Sequence, residues 1–511
     1  MNMRLKFTKP LLNHTIISIT SRILGFFREI TIVFLFGIGY QTDALTIVLK
    51  LFNMFKYIFL EGIISQMFLP LLIEYRKSED RRKTINFLSN ASGTFLFVFC
   101  IIALTGIALS NWIIYIFTPG LIDQKETLRL AVTLMRGIFP YLIINSLTTF
   151  INVVLHAWKL FYQSSFSQIV FNTCLIILLL MSNIFRFSIK LLTVLMILSG
   201  IIQLYYQTLC LKRIQIFFVP KINPKNPSFQ KSLKILYSSI SFSSINQCNT
   251  ILNNVFLSFL PVGSFSWLYY SEKISNIPIG IFGVSLNTVL FPKLLKNILD
   301  KSIVKFYRIL HYGVELSFLI SVFLSILTIF LSYPLVITIF QYRKLDMYHI
   351  HMIQNSLKIN ACGIVSYSLL RILISTIHVI KDVRTHFRMS FINLILSQII
   401  NVLLFDSLKH IGISLSNVLI SWFDIFFLSH ILYKKGIYIL PKFWRRIVLK
   451  IFISSISTIL FLHYMLKMIS DWQELNIFFR ILYLIMLILA SFLNYSSIFL
   501  LLNKLFREIK L

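Results

Sequence analysis

An all-α polytopic membrane protein with 14 transmembrane helices is the fold that this 511-residue sequence predicts, and three observations lead there. Hydrophobic residues make up 57% of the chain and charged residues only 13%, with a mean hydropathy of +0.81, beyond what a water-soluble protein carries. The apolar runs are long and continuous, and of the two architectures that satisfy the backbone in lipid this pattern fits helices rather than a β-barrel. Basic residues also fall on alternate connections. Twenty lie in even-numbered loops, among them Arg76, Lys77, Arg81, Arg82 and Lys83, against five in odd-numbered ones. The positive-inside rule then places both termini in the cytoplasm. The formal net charge of +31 is therefore mostly topological, and no nucleic-acid partner is implied.

Apolar runs read against Pro, Gly and charge punctuation place the spans at residues 11–37, 44–74, 86–110, 128–157, 162–184, 188–211, 233–260, 264–292, 304–332, 348–378, 386–405, 410–433, 446–468 and 478–503. Span 1 follows Arg4, Lys6 and Lys9 as a signal peptide would, but no small-x-small cleavage site closes it, so it is expected to be retained. The connection Lys212 to Ser232, with Pro220, Pro224 and Pro227, separates an N-lobe (1–213, spans 1 to 6) from a C-lobe (233–435, spans 7 to 12) through a cytoplasmic linker, 214–232. Span 2 ends in Phe68-Leu69-Pro70-Leu71-Leu72 and span 8 in Phe291-Pro292-Lys293-Leu294-Leu295, each with a lysine upstream (Lys56, Lys273), which hints at a repeat. Six spans per half is even, so the halves share one orientation, as in transporters with parallel repeats. Spans 13 and 14 (446–505) fall outside that repeat and are free to supply an apolar groove for a lipid tail.

The charges within the spans carry the functional signal. A span needs about 20 apolar residues, yet only 12 residues separate Lys9 from Arg22 and 14 separate Arg28 from Asp43. At least one arginine therefore lies at membrane depth, at a cost of roughly 2.5 to 3.5 kcal/mol on insertion scales. Two readings stand for Arg22 and Arg28: both face an interior cavity, or they snorkel to the headgroups along their aliphatic stems. Lys50, Lys56 and Glu61 on span 2, Glu272 and Lys273 on span 8, Glu315 on span 9, Arg371 on span 10 and Asp424 on span 12 complete the set. Lys273 stands nine residues inside Ser264, roughly 13 Å at the helical rise, where snorkelling is poor. Arg371 is as well placed for an interfacial role as for a cavity role. Glu29, Glu61 and Glu272 neutralise neighbouring bases, whereas Asp424 and Glu315 lack an identifiable partner and are either hydrogen-bonded buried carboxyls or a site for a coupling ion.

A cavity lined by Arg and Lys suits an anionic substrate, and guanidinium forks match phosphates especially well. No enzyme signature accompanies it: no Gly-rich phosphate loop, no metal-ligand cluster among ten scattered histidines, and no substantial extramembrane domain. No cofactor or metal is expected. Cys100, Cys174, Cys210, Cys248 and Cys362 lack zinc or disulfide spacing and read as small core residues, and His349 and His351 read as surface residues of an external loop.

From Thr20-Ser21-Arg22-Ile23-Leu24-Gly25-Phe26-Phe27-Arg28-Glu29 through Gly37-Ile38-Gly39-Tyr40-Gln41-Thr42-Asp43-Ala44, with Glu61-Gly62-Ile63-Ile64-Ser65-Gln66-Met67-Phe68-Leu69-Pro70, Ser266-Trp267-Leu268-Tyr269-Tyr270 and Phe340-Gln341-Tyr342, the sequence resembles the MurJ (MviN-type) lipid II flippases. These belong to the multidrug/oligosaccharidyl-lipid/polysaccharide exporter superfamily. The resemblance implies two six-helix lobes in a V around a cationic cavity, with the last two helices forming a lipid-tail groove. It further implies alternating access that carries lipid II, the undecaprenyl-diphosphate-linked disaccharide-peptide of peptidoglycan synthesis, across the bacterial cytoplasmic (inner) membrane without covalent chemistry. Membrane lipids and cell-wall synthesis proteins are the other partners it implies. The substrate-binding set is then Arg22, Arg28, Asp43, Lys56, Ser266, Lys273 and Arg371, with Glu29, Glu61 and Glu272 balancing charge. Lys56 and Lys273 replace the family's frequent arginine, and Arg371 its lysine. Asn276 stands where an acidic residue is usual, Phe52 and His386 where proline is, and Arg343 where glycine is. The rival readings are export of another polyprenyl-diphosphate-linked oligosaccharide or of drugs and, from another class, an integral-membrane enzyme acting on a lipid diphosphate.

Overall fold

The computed structural model describes residues 2–58, 68–77, 81–184, 188–223, 225, 230, 247–300, 302–341, 346–380, 382–437, 444–469 and 471–508. Among the described residues the regular structure is helical, with no strand, and ten helices are long and apolar enough to cross a membrane. The chain forms two compact units, Met1–Ser266 and Trp267–Leu511.

The first unit contains α1 (Asn2–Phe36), α2 (Tyr40–Lys56), α3 (Leu69–Lys77), α4 (Arg81–Ala108), α5 (Ser110–Phe117), α6 (Lys125–Ala157), α7 (Phe161–Ile184), α8 (Leu191–Arg213) and α9 (residues 247–258). Helix α6 is its axis, with α2, α4 and α8 packed around it and α7 filed between α1 and α8. Lipid supplies no hydrophobic drive between helices, so close backbone approach and polar contacts must hold them together. At Gly106 of α4 an added Cβ would lie 2.3 Å from the Phe139 ring, and at Gly200 of α8 it would lie 2.6 Å from Tyr141, so both helices press bare backbone onto aromatic faces of α6. Phe68, Phe95 and Phe150 interlock with ring centroids 5.2–6.0 Å apart. A buried amide network adds directional bonds: Gln207 Nε2 donates to Asn152 Oδ1 (2.9 Å) and Ser167 Oγ (3.1 Å), joining α8, α6 and α7.

The second unit runs through α10 (Ser264–Pro278), whose first turn lies before the unit boundary, then α11 (Ser285–Leu299), α12 (Ile303–Phe330), α13 (Ser332–Phe340), α14 (Met347–Val379), α15 (Val383–Lys434), α16 (Trp444–Met468) and α17 (Ile477–Glu508). Helix α14 packs against α12 and α15, while α16 and α17 pair with each other and lean on α12. Leu294, Leu310, Ile377, Leu428 and Leu432 form the fully buried centre of its core.

The structure departs from the sequence reading at several points. Span 8 does not stop at Pro292: α10 passes through a π-helical turn (Ile279–Val284) into α11, which continues to Leu299. Proline lacks the amide that an α-turn needs, and the wider turn after Pro278 accommodates that loss. The turn beyond Pro292 is held by tertiary packing, since Leu294 is fully buried in the core. Spans 11 and 12 are separate helices, as the sequence reading expects, but the connection between them is shorter than 406–409. They join in α15 through a single residue, Lys409, at φ 50° and ψ −129°. Pairs 382/435, 393/424 and 397/416 are hydrogen-bonded, which makes α15 an antiparallel hairpin. The cysteines do not all line the core: Cys210 is buried, whereas Cys248 and Cys362 are exposed. Of span 7 the described helical part is 247–258, and Glu61, Tyr342 and Arg343 lie outside the described residues.

At the open end of the α15 hairpin Asp382 caps the helix. Its carboxylate accepts from the Thr385 amide (3.2 Å) and hydroxyl (2.5 Å) and from the Lys435 ammonium. The Lys435 hydrogen bond, then those of Thr385, holds the Asp382 carboxyl down at about 2. A group whose folded pKa is depressed stabilises the fold above its unfolded value and loses that contribution as pH falls toward the folded one. Asp382→Ala should therefore destabilise the protein by about 1 kcal/mol at neutral pH. In thermal unfolding of detergent-solubilised protein, the difference from the unsubstituted chain should shrink between about pH 4 and pH 2.

Candidate functional site

The connection from α1 to α2 turns at Gly37 (φ 71°), and Thr42 closes the start of α2 by accepting from the Gly39 amide (3.0 Å). This places Asp43 in the first turn with its carboxylate pointing away from its own backbone. Oδ2 accepts from the Gly263 amide (2.5 Å), and Oδ1 accepts from the amide (2.9 Å) and hydroxyl (2.6 Å) of Ser266. These amides sit at the start of α10, where the first N–H groups have no intrahelical partner and the macrodipole favours an anion. Gly263 reaches φ 103°, a conformation open to glycine and costly for other residues. Asp43 is 2% exposed and Ser266 0%. The structure thus brings together two of the residues singled out from sequence, engaged with each other and away from any open surface.

Arg28 lies about one turn beyond the middle of span 1, residues 11–37. Its Nη2 meets Glu29 Oε1 at 2.5 Å and its Nη1 donates to Asn172 Oδ1 of α7 at 3.2 Å. Glu29 is 3% exposed, so its charge is matched inside the protein by the guanidinium beside it. Arg22, nearly two turns earlier, is exposed, and Lys56 ends α2 half-buried.

In the second unit Glu272 and Lys273 are half-buried on α10, and the Lys273 ammonium sits 4.8 Å from the centroid of the Tyr269 ring, a cation–π contact that partly replaces water around the charge. Arg371 is exposed on α14. Asp424, without an evident partner in the sequence, accepts from Asn393 Nδ2 at 2.9 Å across the α15 hairpin. Glu315 on α12 is faced electrostatically by Lys450 of α16, whose ammonium also donates to Asn503 of α17 at 2.8 Å.

His349 is half-buried in the first turn of α14 rather than on an external loop, whereas His351 on the same helix is exposed. The Nδ1 of His349 accepts from the Trp267 indole N–H at 3.0 Å, and the Trp267 ring stacks obliquely on His410 at 4.9 Å. Asn172 was also missed from sequence. The signal was there in weak form, because an amide inside an apolar helix needs a partner in the bundle interior. Among the described residues no three His, Cys, Asp or Glu side chains converge to hold a metal ion.

Comparison with known proteins fits this arrangement of helices. A family model described as lipid II flippase MurJ matches residues 32–501. The chain is 33% identical over 466 residues to the "Probable lipid II flippase MurJ" of Buchnera aphidicola subsp. Acyrthosiphon pisum, covering 91% of each chain. It is 26% identical to the "Lipid II flippase MurJ" of Burkholderia cenocepacia, covering 84% of each. Among solved structures, a lipid II flippase MurJ in an inward closed conformation superposes with a TM-score of 0.78 at 21% identity over 98% of this chain and 99% of that one. An inward-facing multidrug transporter of the MATE family superposes with a TM-score of 0.65 at 12% identity, over 82% of this chain and 98% of that one, which is a likeness of fold. With 470 residues of one family model matched and a third of positions identical to a relative of nearly full coverage, the chain belongs to the lipid II flippase MurJ family.

Proposed function

We propose that the protein carries lipid II from the cytoplasmic to the periplasmic leaflet of the bacterial inner membrane by alternating access, with no covalent chemistry. The observation that carries this reading is the family match over residues 32–501, with which the Arg28 guanidinium, held by Glu29 and Asn172 within an otherwise apolar stretch of α1, is consistent. Fourteen spans with cytoplasmic termini accord with the basic loops. Lobes 1–213 and 233–435, joined by the linker 214–232, would form a V around a cationic cavity, with helices of 446–505 offering the groove for the polyprenyl tail. Arg22, Arg28, Lys56, Lys273 and Arg371 would meet the diphosphate, while Glu29, Glu61 and Glu272 moderate the charge of the empty cavity. Asp424 and Glu315 are the candidate coupling-ion residues. Asp43 and Ser266 are proposed as a latch at the periplasmic end of the site, where odd-numbered loops lie, because an anion on a helix N-terminus is strong when dry and readily exchanged for water when opened.

Complementation of a flippase-depleted bacterium tests the site. Arg28→Ala and Lys273→Ala should each abolish growth at native expression levels, whereas Lys56→Arg and Lys273→Arg should support it and the corresponding glutamine variants should not. Normal growth of both alanine variants would remove Arg28 and Lys273 from the site. For the latch, Asp43→Asn should weaken the charge-assisted bonds and raise the reactivity of a cysteine placed at Ser266 toward an external thiol reagent. Unchanged reactivity would reduce Asp43 to a static brace.

Energy coupling follows from charge. Moving the roughly two negative charges of a diphosphate outward across the full membrane potential is downhill by up to about 4 to 5 kcal/mol per 100 mV. In proteoliposomes an interior-negative potassium diffusion potential should speed transfer of fluorescent lipid II to the outer leaflet by protein oriented as in the cell. An unchanged rate on collapsing the potential, together with strict dependence on a sodium or proton gradient, would transfer the coupling role to Asp424 and Glu315.

A further inference from the structure

We infer that Asn172 is the positioning residue that aims the Arg28 guanidinium at the anionic group of the substrate, an inference that rests on the reading of Arg28 as a diphosphate ligand. The Asn172 side chain is 6% exposed and both ends of its amide are used. Oδ1 accepts from Arg28 Nη1 at 3.2 Å, and Nδ2 donates to the backbone carbonyl of Ser21 at 3.2 Å. A carbonyl can only accept and a guanidinium can only donate, so the two partners fix which way round the amide stands. Ser21, Gly25 and Arg28 fall on one face of α1, and the amide lies across Gly25, where an added Cβ would already stand 3.6 Å from Nδ2. That spacing is ordinary van der Waals contact, so the Asn172 amide packs directly over the bare backbone at Gly25.

The frame behind Asn172 is rigid. Its neighbour Phe171 stacks on Tyr141 of α6 at 5.7 Å, and Tyr141 stacks on Phe52 of α2 at 5.4 Å. An arginine has a long stem with several rotatable bonds, and a preorganised ligand must have that freedom removed before the substrate arrives. Asn172 removes it with a neutral acceptor. Glu29 already offers Arg28 one negative charge, and a second carboxylate in place of the amide would leave the pair net negative and repel a diphosphate. An asparagine orients the guanidinium and adds no further negative charge to the Arg28–Glu29 pair.

The test measures binding of undecaprenyl diphosphate and of uncharged undecaprenol to the purified full-length protein by native mass spectrometry. It compares the unsubstituted chain with Asn172→Leu, Asn172→Asp, Arg28→Ala and the double variant Asn172→Leu/Arg28→Ala. Asn172→Leu should weaken diphosphate binding about tenfold and leave undecaprenol binding unchanged. Asn172→Asp should weaken diphosphate binding further, and the double variant should be no worse than Arg28→Ala alone. Equal losses for both lipids, or a loss that adds in full to that of Arg28→Ala, would overturn the inference and leave Asn172 as packing between α1 and α7. Should Asn172→Leu fail to fold, Asn172→Ser, too short to reach the guanidinium, carries the same comparison. If Arg28→Ala itself retains diphosphate binding, the site reading fails. If Arg28→Ala loses binding and neither Asn172 variant does, only the role of Asn172 fails.

Discussion

A charge that enters hydrocarbon has to bring its own solvent, and most of the organisation described above follows from meeting that demand with side chains and backbone amides. Arg28 brings Glu29 from its own helix and Asn172 from α7. Asp43 takes three donors from the start of α10. Lys273 uses the face of Tyr269, and Lys450 uses Asn503. These solutions differ in what they leave over. A carboxylate capped by backbone amides is fully spent, whereas a guanidinium gripped by one carboxylate and one neutral amide is held in a fixed pose. The latter is what a passing anion needs.

The same demand explains what could be read from the sequence. The all-helical character and the apolar spans were legible because the length and hydropathy of a span are properties of single segments, indifferent to how segments meet. The apolar character of α4, α6, α12 and α14 needed no tertiary information. Helix ends were harder. Pro292 signals a stop to any local rule, yet Leu294 behind it is buried in the core and draws the helix on. Lys409 turns the chain in a conformation that non-glycine residues seldom adopt, so no turn motif announced it.

The charges embedded in the spans were legible as residues but not in their pairing. Arg22, Arg28, Lys56 and Lys273 stood out as misplaced charges, and the family motif supplied Asp43 and Ser266. That Asp43 would bond to Ser266 across more than two hundred residues of sequence, or that His349 would serve Trp267, depends on helix contacts with no local signature. Asn172 was missed for the opposite reason. One amide in an apolar helix looks like any other, and only the carbonyl of Ser21 on one side and the guanidinium on the other distinguish it from Asn152, which ties α6 to its neighbours.

The α15 hairpin is fastened at one end by Asp382 and Lys435 and closed at the other by the single residue Lys409, with Asn393 and Asp424 bonded between them. Two arms riveted in this way cannot slide along each other without breaking the Asn393–Asp424 hydrogen bond, whose acceptor Asp424 is 4% exposed. Motion within this unit is therefore channelled to places where the helical ladder is already loosened. The widened turn Ile279–Val284, with Pro278 before it and Gly280 and Gly283 within it, is such a place. Here the backbone has exchanged the regular α-helical pairing for a wider one, so a bend of α10 against α11 would cost least at this turn, which rests on α12 and α14.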